Sequence, residues 1–121
     1  MSAQPIPEAW RQVVCANLRA HGKRIEATTD FHQHWQEDFP DETYLGLLHD
    51  FEYMLSRPLQ GCPVTLDPPA RAGETWEFWF MHGGDKAYGK ILLRKDGRGI
   101  VLYSAHRPKY RYLKCERPIS P

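Results

Sequence analysis

Two histidines close strand-like runs in the last part of the chain. ETWEFWFMH ends on His82 and IVLYSAH ends on His106. An imidazole takes up or gives a proton near neutral pH, so both suit general acid–base chemistry. Lys86, Lys90, Arg94 and Arg107 lie around them, cations that can stabilise charge on a phosphoryl group. Glu77 is a sheet glutamate that can act as a base, and Tyr103 and Ser104 add hydroxyls. Trp79, Tyr88, Tyr103 and Tyr110 offer rings on which unpaired bases stack. These types fit cleavage of RNA. One group takes the 2′-hydroxyl proton, another protonates the leaving 5′-oxygen, and cations hold the phosphorane between them. The same residues have plainer uses: lysines guard a sheet edge, and a strand-end histidine is often just hydrogen-bonded at the surface.

Other chemistries are poorly served. His32 and His34 stand two apart, which on a helix points them to different sides, and neither HExxH nor CxxC spacing occurs. No metal and no cofactor is expected. His82-Gly83-Gly84-Asp85-Lys86 lacks the spacing of a phosphate loop and reads as a turn. Ser104 and His106 share one side of a strand about 7 Å apart, too far for a routine hydrogen bond. The cysteines Cys15, Cys62 and Cys115 are odd in number, and MSAQPIPEAW has neither a basic nor an apolar leader region. Reduced thiols and a cytoplasmic location are the expectation, with delivery into another cell by a specialised route left open. No apolar run is long enough to span a bilayer, so no membrane partner is expected.

The elements that must position these groups follow from periodicity. A chain of 121 residues suggests one domain, 1–121, with loose ends at 1–6 and 117–121. Hydrophobic residues at 41% can build a core, while a mean hydropathy of -0.61 keeps the chain in the soluble class. The formal net charge is only +1, but acids crowd the middle and Lys and Arg dominate from Lys86 onward. Trp10, Val13, Val14 and Leu18 predict a helix over 8–21, ended at Gly22. Phe31, Trp35 and Phe39 predict a short helix capped by Asp30 and ended before Pro40. Tyr44, Leu47, Leu48, Phe51, Met54 and Leu55 predict a third over 42–56 with an acidic outer face. Residues 23–29 read as a brief strand or extended connector, and 62–73 as an irregular surface connection. Strands follow over 74–82 and on both sides of Asp96-Gly97-Arg98-Gly99, with a last edge strand at Tyr110–Cys115.

The hairpin has a predictable register. With Gly97-Arg98 as a two-residue loop, Arg94 faces Val101, Leu92 faces Tyr103 and Lys90 faces Ala105. Ile91, Leu93, Ile100 and Leu102 then form a core face that continues to Ser104 and His106. Tyr88, Lys90, Leu92, Arg94, Val101 and Tyr103 form the other, cationic and aromatic, face. A bulge at the glycines would exchange faces on one strand. Helices first and consecutive strands after give an α+β fold: N-terminal helices packed on one face of a C-terminal antiparallel sheet of three to four strands.

This layout, with YGKILLRKDG and IVLYSAHRP in a basic sheet after two helices, resembles the small metal-independent RNases of the barnase, EndoU, colicin-type and RelE superfamily. The resemblance implies an RNase toxin neutralised by a cognate protein, with RNA as substrate. By position it implies roles for Lys86, Lys90, Arg94, Tyr103, Ser104, His106 and Arg107. In this reading His106, with His82 or Glu77, moves protons and the cations hold phosphate. Two non-enzymatic readings compete: an immunity- or antitoxin-like interaction module presenting the acidic helix, and an RNA-binding accessory protein using the same sheet.

Overall fold

A computed structural model describes residues 2–66 and 72–116. The end at 117–121, expected to be loose, lies outside them. Three helices, α1 (Glu8–Ala20), α2 (Thr29–Asp38) and α3 (Tyr44–Leu55), pack on one face of a six-stranded sheet. The strands are β1 (Gln4–Pro5), β2 (Ile25–Ala27), β3 (Gln60–Val64), β4 (Gly73–His82), β5 (Asp85–Arg94) and β6 (Ile100–His106), in the order β1-β3-β4-β5-β6-β2. The fold is α+β, but the sheet is larger than the three to four strands expected, and it is mixed. β2 adds to β6 in parallel, whereas the other pairings are antiparallel.

Each extra strand is short and comes from a stretch with weak local signal. Residues 1–6 were expected to fray, yet Gln4 and Pro5 pair with Gly61 and Gln60, and Ile6 is buried. The Arg11 guanidinium secures this start by donating to the Ile6 and Leu55 carbonyls, each at 3.2 Å. The connection expected at 62–73 begins as part of β3 instead. Conversely, the edge strand expected at Tyr110–Cys115 is absent: that segment is irregular until a 3₁₀ turn at Lys114–Glu116.

The helices form where periodicity places them. Thr28 rather than Asp30 caps α2, accepting from the Phe31 N–H at 3.1 Å, and Thr43 caps α3 in the same way. Trp10, Val14 and Leu18 from α1, Phe31 and Trp35 from α2, and Leu47, Phe51 and Leu55 from α3 bury against Trp76, Phe78, Phe80, Ile91, Ile100 and Leu102. Gly89 leaves room for this layer: a Cβ there would lie 2.9 Å from both the Phe51 and Phe78 rings.

The β5–β6 hairpin departs from the simple register. Its loop has four residues, closed by the Arg94 N–H donating to Gly99 O at 2.9 Å, with Gly97 at φ 74°. Leu92 therefore faces Val101, not Tyr103. A two-residue slip preserves faces, so Ile91, Ile100 and Leu102 still point to the helices. A bulge then occurs between Lys90 and Ile91 in the ladder: Ile91 faces Leu102 but Lys90 faces Ser104, leaving Tyr103 as the extra residue. Beyond it the faces of β6 exchange. Ala105 turns to the helix side opposite Gly89, and His106, expected on the core side, sits opposite Tyr88 on the other.

Candidate functional site

The bulge builds a site on the face of the sheet away from α1 and α3. A cavity of about 430 Å³ is lined there by Trp79, Tyr88, Lys90, Tyr103, Ser104 and His106 from the sheet. Thr28, Asp30 and His34 close one side from the start of α2, and Lys109, Tyr110 and Tyr112 close the outside. Its size is that of a small-ligand site. Both Tyr103 and Ser104 reach it because the bulge interrupts strict alternation. α2 reaches it because β2 ends early: the Thr28 N–H donates to Leu102 O at 3.2 Å, and the helix begins beside the unpaired end of β6.

Two imidazoles meet in this cavity. The ring centroids of His34 and His106 are 5.8 Å apart, at 88°. His106 also stacks on Tyr88, with centroids 5.0 Å apart and planes at 27°. His106 Nδ1 lies 2.7 Å from the Arg107 carbonyl, so Nδ1 carries the donated proton and the Nε2 lone pair is left for a substrate. Burial pushes the His106 imidazolium down from its ordinary range. Lys109 and His34 act in the same direction, while the Arg107 carbonyl and Asp38 oppose them. Such a ring is a neutral base at pH 7.

Lys90 and Lys109 supply positive charge to the cavity, and Asp30 supplies a carboxylate. Burial lowers the Lys90 pKa, Glu77 opposes that shift and Lys114 adds to it. Glu77, named above as a base, is 3% exposed and does not line the cavity. One of its oxygens accepts from the Tyr88 hydroxyl, the other from the Lys114 backbone N–H at 2.7 Å. Both oxygens are engaged in holding other groups, so Glu77 acts as a support.

The remaining predicted residues divide. Lys86 sits over the Trp79 ring, 4.2 Å from its centroid, at the edge of the cavity. Arg94 pairs with Glu26 at 2.6 Å, at the far end of the ribbon. Arg107 turns to α2, its N–H donating to Asp38 Oδ2 at 2.8 Å. Neither arginine lines the cavity. His82 stays on the helix side of the sheet, packed on Phe39 with centroids 4.6 Å apart. Its Nδ1 lies 2.8 Å from Asp50 and its Nε2 3.0 Å from Glu42. It faces the side of the sheet opposite to the one His106 faces, and it does not line the cavity. Among the described residues, Glu42, Asp50 and His82 offer ligand atoms within 4.8 Å of one another. The two carboxylates, however, bracket opposite nitrogens of the ring, each within hydrogen-bond distance of one of them.

The sequence reading gave His34, Lys109, Tyr112, Thr28 and Asp30 no place in this site. A usable signal existed for His34: it stands three residues after Phe31 and one before Trp35, on the flank of the buried stripe. A flanking position of that kind is where a helix meets the border of a sheet. The cysteines also differ from expectation. Cys62 and Cys115 form a disulfide across 53 residues, and Cys15 is free and buried. No helix among the described residues is long and apolar enough to cross a membrane.

Compared with known proteins, the chain matches no family model, no curated protein and no solved structure.

Proposed function

We propose that this protein is a metal-independent ribonuclease whose centre is the cavity between β6 and α2. The observation that carries the reading is the pair His34–His106, 5.8 Å apart between ring centroids within a cavity that also holds lysine and aromatic side chains. His106 Nε2 takes the proton from a ribose 2′-hydroxyl. His34, across the same cavity, protonates the leaving 5′-oxygen. Lys90 and Lys109 stabilise the charge that grows on the phosphorane. Trp79, Tyr103, Tyr110 and Tyr112 receive the bases of a single strand. Lys86 holds the Trp79 ring rather than phosphate, and Ser104 lies beside Lys90 as a hydroxyl for a phosphate oxygen.

In this reading the chain is toxin-like, as the resemblance of its sequence to small metal-independent RNases implies. Its RNA is met in a cytoplasm, and a cognate acidic protein covering the lysine-rich mouth neutralises it. Delivery from another cell agrees with the disulfide, which suits passage through an oxidising compartment. The competing interaction-module reading loses support because acids on α3 and just before it are engaged internally: Glu42 and Asp50 on His82, and Glu52 on Arg19 at 3.1 Å. Incubation with total RNA in EDTA tests the proposal. Cleavage by the unaltered protein that disappears in His106→Ala and in His34→Ala is the expected result. Binding without cleavage points instead to an RNA-binding accessory protein.

A further inference from the structure

The outer wall of the cavity is a segment with almost no regular structure of its own. Residues 107–116 leave the end of β6, pass over β5 and β4, and finish against β3. They carry Lys109, Tyr110 and Tyr112 to the cavity. Arg107 is tied to Asp38 where the segment leaves β6, and the far end is held by the buried Leu113 side chain, the Lys114 N–H on Glu77, and the bond from Cys115 to Cys62. Ordering an irregular stretch of this length costs far more conformational entropy than a few such contacts return, so the covalent anchor decides whether its far end stays.

We propose that the Cys62–Cys115 disulfide is a redox latch on the cavity: oxidised, it fixes the wall in place, and reduced, it lets the wall leave with Lys109, Tyr110 and Tyr112. The inference rests on the reading of this cavity as the functional site. The reductant is a dithiol. One of its thiolates attacks the Cys115 sulfur, the less buried of the two, and the Cys62 sulfur leaves as a thiolate and is protonated. The second thiol of the reductant then displaces Cys115, so two electrons pass to the protein and the reductant becomes a disulfide. Cys62 is fully buried, which slows the exchange and lets a latched molecule persist for a time in a reducing compartment. The latch reaches the chemistry through named contacts. Lys114 shares the Glu77 carboxylate with Tyr88, and Tyr88 stacks on His106. Release of the wall therefore frees one oxygen of Glu77 and admits water beside the imidazole.

The test compares the full chain oxidised, reduced with dithiothreitol, and reoxidised, all in EDTA. Amide exchange at Leu113 and Lys114 should quicken by about tenfold or more on reduction, while the strands keep their protection. The His106 titration, followed by NMR, should move up toward its ordinary range as burial is relieved. Affinity for a short 2′-O-methyl single-stranded RNA, which binds but cannot be cleaved, should fall by about tenfold or more, as loss of stacking rings implies. Reoxidation should reverse all three, and the Cys62→Ser/Cys115→Ser variant should reproduce the reduced state. Should that variant not fold, the reduction and reoxidation series on the unaltered chain carries the test. Equal exchange at Leu113 and Lys114 in both states overturns the latch. So does loss of protection throughout the sheet, which would make the bond a global staple. An oxidised protein that neither binds nor cleaves RNA overturns the nuclease reading alone, because exchange and titration report the latch without it.

Discussion

Replacing Glu77 separates a supporting role from a catalytic one. Its carboxylate is 3% exposed and accepts from the Tyr88 hydroxyl and from the Lys114 N–H. Glu77→Gln preserves the shape. The amide oxygen can still accept from Lys114, and its NH₂ can donate to the Tyr88 oxygen. What is lost is charge assistance, about 1 kcal/mol for each of two bonds, so the variant should be about 2 kcal/mol less stable. Glu77→Ala leaves both donors without their acceptor and takes the counter-charge from Lys90, for about 4 kcal/mol. Urea unfolding of the oxidised protein at pH 7 measures both. With Tyr88 and the wall loosened, RNA cleavage should fall in proportion to the disorder around His106, and Gln should keep more of it than Ala. A Glu77→Ala protein within about 0.5 kcal/mol of the parent, the range of ordinary surface changes, would refute the reasoning. Full stability of Glu77→Gln with complete loss of cleavage would return Glu77 to the role of base.

Further expectations concern the histidines and the core. His34→Ala and His106→Ala should each lower RNA cleavage by about 10²–10⁴-fold, read as initial rates on a short oligonucleotide. Cleavage should also fall as pH drops through the depressed His106 pKa, at lower pH than an ordinary imidazole base would show. The stability sign agrees: the folded ring binds its proton less readily than the unfolded one, so this contribution is full above the unfolded value near 6.5. It is lost as pH falls through the folded pKa, and His106→Gln should flatten that part of a stability–pH curve. His82→Gln should cost about 1–2 kcal/mol by breaking the bracket with Glu42 and Asp50, yet leave affinity for a single-stranded oligonucleotide unchanged; weakened binding would place His82 back in the site. Gly89→Ala should lower stability by about 1–3 kcal/mol in thermal unfolding, because its methyl group meets two packed rings.

Much of the framework was legible before any coordinates. The stripe Leu47, Leu48, Phe51 and Leu55 repeats at helical period, and the alternation of Trp76, Phe78 and Phe80 is that of a half-buried strand. Both patterns are local consequences of backbone geometry, so a short window of sequence contains them. The aromatic and cationic character of one sheet face was legible for the same reason, and Trp79, Tyr88, Lys90, Tyr103 and Tyr110 do line one cavity. β1 and β2 were not, because two or three residues carry no period; pairing with β3 and β6 makes them strands.

Sequence alone determined the helices, the strand ribbon and its unlike faces, since these depend on neighbours along the chain. Tertiary structure decided which histidine faces the cavity. One surplus residue at Tyr103 turns His106 out of the core and toward His34, which lies about seventy positions earlier, while His82 remains behind the sheet with its two acids. Tertiary structure also joined Cys62 to Cys115 and so put a wall on the cavity. A bulge belongs to two strands together, and a cross-link to two distant segments. Neither has a period that a single stretch of residues can display.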